Sequence, residues 1–209
     1  FYKYLESLGI FDFEAGQLMC SDSRVIPLLT NTFINWFETQ HWKDKSLLEL
    51  GSGSSTLFFA KYFKEVCSLE TNQDWFTRLS EVLPLNVEYK KVDIIMDGLN
   101  SADINSYDAI LLDCGENRAN IAKVLAERSY DGIIFFDNSE WYRHSIKILN
   151  SSGFFEIPFF GVKPVENWVS CTSVLAKESN LNEITNSNWE KLPEFAGYHP
   201  RNAWDIVDG

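Results

Sequence analysis

Ser46-Leu47-Leu48-Glu49-Leu50-Gly51-Ser52-Gly53-Ser54-Ser55-Thr56 is the stretch whose reading decides the fold. Its apolar run, Leu47, Leu48 and Leu50, reads as a buried parallel strand, and the apolar residues from Leu57 to Phe63 beyond the turn read as a helix. Strand, glycine turn and helix in that order make a nucleotide-binding corner. Glycine lets the backbone pass close to a ligand, and the first helical turn offers unpaired N–H groups. A second apolar run, Val66-Cys67-Ser68-Leu69-Glu70, ends in a carboxylate. Glu70 thereby falls about 20 residues beyond the turn, where a ribose-binding acid belongs in such a corner.

Outward from this corner the pattern alternates. Strand 46–50 leads to helix 55–63, strand 66–70 to helix 73–82, and then come strand 86–92, a polar stretch at 97–107 and strand 108–113. Helix 117–128, strand 132–137 and helix 139–150 follow, and two last strands at about 154–160 and 169–176 flank a short loop. Strands alternating with helices imply parallel βαβ units, and the last connection is too short for a parallel crossover, so that pair must be antiparallel. The expected fold is α/β: a Rossmann-like three-layer sandwich with a mainly parallel seven-stranded sheet and a C-terminal antiparallel hairpin. One domain is expected over 1–209. Residues 1–45 form a helical lead-in with a helix at 25–40 capped near Asp22-Ser23, 46–176 the core, and 177–209 a tail wrapped over it with Trp189, Phe195, Tyr198 and Trp204.

A chain of 209 residues with 45% hydrophobic and 15% aromatic content can bury a full core, which argues against a disordered chain. No apolar run reaches the roughly 18 residues of a membrane span, and no secretory leader is visible. Net charge is −12, which repels phosphate backbones, so nucleic acid is not an expected partner. Cys20, Cys67, Cys114 and Cys171 show no C-x-x-C spacing and read as reduced thiols of a cytoplasmic protein. The sequence does not specify an oligomeric state.

The acid before the glycine turn, the acid closing the second strand, Asp113 closing the fourth and Phe136-Asp137-Asn138 closing the fifth resemble the class I S-adenosylmethionine-dependent methyltransferases. The resemblance covers about 46–176. Asp137-Asn138-Ser139-Glu140-Trp141 is further similar to the fifth-strand end of the metal-dependent small-molecule O-methyltransferases. The glycine turn here is shorter than theirs, and Cys-Gly-Glu-Asn replaces their Asp-rich continuation after Asp113.

The resemblance implies methyl transfer from S-adenosyl-L-methionine to a small molecule or an exposed group of a larger one, at oxygen. Glu49, Gly51, Ser52, Gly53, Ser55, Thr56, Glu70, Thr71, Asp93 and Asp113 are the expected cofactor-binding residues. Glu49 and Asp113 suit the cationic amino and sulfonium groups, directly or through water, Glu70 the ribose hydroxyls, and Asp93 with Ile94 the adenine. Asp113 and His144 are the candidate catalytic groups, with Lys163 a further candidate base. Asp113, Asp137 and Asn138 offer oxygen ligands suited to magnesium, calcium or manganese.

Blander readings stand beside these. Turns use glycine freely, Asn138 could cap a helix, Asp113 could brace a loop, and a histidine in a helix is usually a surface residue. Trp141 and Trp168 are expected to border an acceptor pocket, Phe159 to pack in the core, and Thr30 to face the cofactor. A nicotinamide-dependent oxidoreductase is a second function class, although Thr56 replaces the third glycine of its fingerprint. A non-catalytic module that kept the fold is a third.

Overall fold

The computed structural model describes residues 25–166 and 168–185, together with Lys3 and Glu6. The expected cap at Asp22-Ser23, Cys20 and the aromatics Trp189, Phe195, Tyr198 and Trp204 lie outside the described residues.

Seven strands, β1 (Ser46–Leu50), β2 (Glu65–Glu70), β3 (Val87–Lys91), β4 (Ala109–Leu112), β5 (Ile133–Asp137), β6 (Phe155–Gly161) and β7 (Ser170–Ala176), form one sheet in the order β3-β2-β1-β4-β5-β7-β6. All pairs are parallel except β5 with β7 and β6 with β7. The chain runs outward from β1 to β3, then returns to β4 on the other side of β1. The β1–β4 boundary is therefore the switch point, where an open α/β sheet leaves a crevice beyond its strand ends.

Among the described residues, seven helices accompany the strands: α1 (Asn31–Phe37), α2 (Ser54–Phe59), α3 (Gln73–Ser80), α4 (Ile95–Ser101), α5 (Arg118–Glu127), α6 (Arg143–Ser151) and α7 (Glu178–Thr185). Alternation along β1 sends Leu48 and Leu50 to one face and Leu47 and Glu49 to the other. The first face packs with Ile95, Leu99, Ile121, Leu125, Ile146 and Leu149 of α4, α5 and α6. The second packs against an aromatic layer from α1, α2 and their exits. There Phe37 stacks on Trp42 at 4.9 Å and meets Phe59 edge-on at 5.0 Å. Phe159 joins this layer against Trp36 at 5.2 Å, as packing rather than as a pocket wall.

Several elements differ from the sequence reading. Helix α1 is shorter than 25–40: Thr30 is extended before it, with its N–H donated to Thr172 Oγ1 and its hydroxyl to Phe159 O across the hairpin. The polar stretch 97–107 contains most of α4 and a 3-10 turn, Ile104–Ser106. Gly98 hides that helix from a propensity reading. A Cβ there would stand 2.8 Å from Leu69 Cδ1, so glycine is what lets α4 close on β2. Helix α6 starts at Arg143, not 139, because Asn138 adopts φ +52° and the chain turns before resuming a helix. Residues 178–185, read as tail, form α7, whose Ile184 is buried and whose backbone carbonyl there accepts the Trp36 indole N–H.

Candidate functional site

Gly51 opens the turn after β1 with φ +92°, a conformation that L side chains avoid. A Cβ on it would also overlap the Asp113 carbonyl beyond β4. The turn is thus pressed onto the next strand's exit, and only glycine fits. At Gly53 the backbone is extended and a Cβ would meet ordinary contacts with Ser55 and Trp75, so no steric clash demands glycine there.

Glu49 does not reach the crevice. It is fully buried, and its carboxylate accepts the hydroxyls of Ser55 at 2.6 Å, Thr56 at 2.5 Å and Ser68 at 2.6 Å. Burial pushes its pKa up to about 7, against the pull of those hydroxyls. Thr56 passes the contact onward by accepting the Gly53 N–H at 3.0 Å. Glu49, Ser55 and Thr56 therefore shape the glycine turn from beneath. Direct contact of Glu49 with a ligand is corrected by its enclosure.

Glu70 closes β2 and is 7% exposed. One oxygen accepts the Ser52 N–H at 3.2 Å and the Ser52 hydroxyl at 2.5 Å, and the other accepts the Asn72 N–H at 2.6 Å. The Ser52 hydroxyl also meets Tyr89 OH at 2.7 Å, and the Trp75 indole donates to Ser52 O at 2.8 Å. The rim thus brings Gly51, Ser52, Gly53 and Glu70 together. Tyr89 is a member that sequence reasoning missed. The signal was the β2–β3 register, which pairs Ser68 with Tyr89 and so puts Tyr89 on the face of Glu70.

Across the switch point, Asp113 and Asp137 end β4 and β5. Leu112 pairs with Phe136, so the two acids stand side by side one step further on. Burial and the Asp137 charge push the Asp113 carboxyl well above the usual range, against Arg118 and Lys163. Arg118 is buried. It donates to the carbonyls of Cys114 at 3.0 Å, Leu112 at 3.2 Å and Asp137, approaches Asp113 Oδ1 at 3.4 Å, and lies over the Tyr142 ring at 4.4 Å. This brace was also missed, since nothing in Asn117-Arg118 distinguishes it from an ordinary helix start.

Asp137, one of the three expected metal ligands, is already engaged by protein groups. Asp137 gives one oxygen to the Lys163 ammonium at 2.5 Å and the other to the Thr172 hydroxyl at 2.8 Å. An ammonium at that distance repels a divalent ion from the same carboxylate. Among the described residues, no group of three His, Cys, Asp or Glu side chains is placed to hold a metal. Asn138 is 8% exposed, and its Nδ2 is buried without a partner.

The remaining candidates are not gathered here. Thr71 and His144 are exposed, and Asp93 projects fully into solvent 3.9 Å from Lys91. A cavity of about 480 Å³ beside Asp93 is lined by Cys67, Leu69, Val92 and Gly98. Alternation along β2 places Leu69 and Glu70 on opposite faces, so this cavity opens away from Glu70. Thr30 braces the hairpin, donating its hydroxyl to Phe159 O at 2.9 Å. Trp141 and Trp168 are 60% and 50% exposed, so neither is core packing.

Solved structures share this architecture. A precorrin-6Y C5,15-methyltransferase from Geobacter metallireducens superposes with TM-score 0.56 at 13% identity, over 77% of this chain and 98% of that one. Fibrillarin from Aeropyrum pernix, solved with natively bound S-adenosyl-L-methionine, gives 0.53 at 15% identity over 65% and 68%. The chain shares the Rossmann-like fold of these methyltransferases. A spermidine synthase from Thermotoga maritima gives 0.56 at 13% identity over 81% and 64%, so the methyltransferase fold by itself does not fix the reaction. No protein-family model matches the chain, and no curated protein matches it.

Proposed function

We propose that this chain is an S-adenosylmethionine-dependent methyltransferase acting on a small molecule or an exposed group of a larger one. The observation that carries the reading is Glu70, held at the rim beside a turn that only Gly51 can make. A carboxylate in that place accepts two vicinal hydroxyls, and Glu70 meets them once the Ser52 hydroxyl yields its oxygen. Gly51 and Gly53 let the backbone close on the nucleoside. Glu49 acts through Ser55 and Thr56, which hold the turn's shape. The fit to a nucleotide cofactor with a pyrophosphate is poorer. Thr56, at the third glycine position, is fully buried and bonded to the Glu49 carboxylate, which places an acid under the turn.

The cofactor, when bound, supplies a methyl group on a sulfonium for in-line displacement. Proximity and alignment provide most of the rate, and the chain's task is to orient the acceptor and take its proton. Asp113 is our candidate for that proton, because it stands just beyond β4 against the Gly51 turn and its surroundings raise its proton affinity. Oxygen as the accepting atom is supported by the resemblance of residues 137–141 alone. Exposed Trp141 and Trp168 favour an acceptor with an apolar body. The net charge of −12 disfavours nucleic acid.

The test is a thermal shift with S-adenosylhomocysteine. Wild type is expected to be stabilised, and Glu70→Ala to lose the shift while keeping its own folding transition. Stabilisation by NAD instead, with none by S-adenosylhomocysteine, overturns the reading.

A further inference from the structure

Lys163 lies in the loop joining β6 to β7, yet it is 2% exposed. A loop lysine ordinarily keeps its ammonium in water, because burying it costs several kcal/mol unless a carboxylate repays the loss. Among the described residues the repayment is a single partner, Asp137 Oδ2 at 2.5 Å. The loop is fixed to deliver it. Asn31 clamps Val162 from both sides, donating its N–H to Val162 O at 2.9 Å and accepting the Val162 N–H on Oδ1 at 2.9 Å. Gly161 has no room for a side chain, since a Cβ would overlap Asn31 and stand 2.8 Å from Thr32 Oγ1.

The corner that receives this ammonium is otherwise rich in hard oxygen donors. Asp113 and Asp137 end adjacent strands, and Asn138 follows in the left-handed conformation. Two carboxylates and a carboxamide at neighbouring strand ends are a donor set for a small divalent cation. What stands among them is Lys163, with Arg118 bracing from the other side. The geometry points to Lys163 as a built-in cation that takes the place of a divalent ion at the ends of β4 and β5, so that this corner works without metal. The ammonium offsets the charge of Asp137 beside Asp113, as an ion would. It also blocks the carboxylate that the ion would need.

The inference concerns this chain's own charges and does not rest on the cofactor reading, so either can fail alone. The test is a Mn²⁺ titration of the full chain followed by electron paramagnetic resonance of the free ion. Wild type is expected to leave Mn²⁺ free. Lys163→Ala is expected to bind at least about tenfold more tightly, and Lys163→Ala with Asp137→Ala to lose that gain. Tight Mn²⁺ binding by wild type that Asp137→Asn abolishes overturns the proposal. So does a folded Lys163→Ala that binds no better than wild type. If Lys163→Ala does not fold, a measurement on wild type decides. The amide signals of Asp137 and Asn138 should stay sharp as Mn²⁺ is added, and selective broadening there overturns the proposal.

Discussion

Glu49 on β1 and Asp137 on β5 are buried carboxylates on the same face of one sheet, and they are satisfied in opposite ways. Among the described residues Glu49 takes three hydroxyls and no cation, and burial raises its pKa to about 7. Asp137 takes one hydroxyl and one ammonium. The first arrangement tolerates a proton near neutral pH. The second requires a charge, because removing either partner leaves the other buried without its counter-charge. The difference teaches which half of the rim is built around hydroxyls and which around fixed charge.

The largest effect comes from breaking the charged half. Lys163→Met leaves Asp137 unpaired and is expected to cost about 3–5 kcal/mol in urea denaturation. Lys163→Met combined with Asp137→Leu should recover most of that loss. Equal losses in single and double variants would show that the pair is not coupled.

The hydroxyl half is tested by pH. Glu49 has a folded pKa of about 7 against an ordinary value of 4.5. Between those values the native state holds a proton that the unfolded chain releases. Its contribution is therefore full at low pH and is lost as pH rises through about 7, a swing on the order of 3 kcal/mol. Glu49→Gln removes the titration. Its melting temperature should exceed that of wild type at pH 8, with the advantage shrinking toward pH 5. Parallel profiles for the two proteins would remove Glu49 from the account.

The smallest effect probes the boundary between protein and ligand. The Ser52 hydroxyl occupies the Glu70 oxygen that the proposed ribose would use. Ser52→Ala frees that oxygen and should tighten S-adenosylhomocysteine by about threefold to tenfold in calorimetry. Unchanged or weaker affinity would mean that the serine does not compete.

Much of this was readable in residues 46–56. Strand β1 has the expected limits, and Gly51 is where the chain needs a positive φ. Glu70 follows because the length of a βα unit sets its distance from the turn. Helix α4 escaped notice because Gly98 lowers helix propensity, and its reason, the contact with Leu69, belongs to another strand. The engagement of Asp137 was hidden for a similar reason. Asp113, Asp137 and Asn138 carry the right atoms, but Lys163 enters from a loop about 25 residues beyond Asp137, and no local pattern announces its burial.

Sequence by itself determined the alternation of strands and helices, the position of the switch-point turn and the acid at the end of β2. These follow from periodicity, glycine stereochemistry and chain length, all of which act over a few residues. Tertiary structure alone decided which carboxylates face the crevice, which are sealed beneath it, and which cation each acquires. Those outcomes depend on burial and on partners tens of residues away, and a carboxylate's chemistry is set by its surroundings more than by its name.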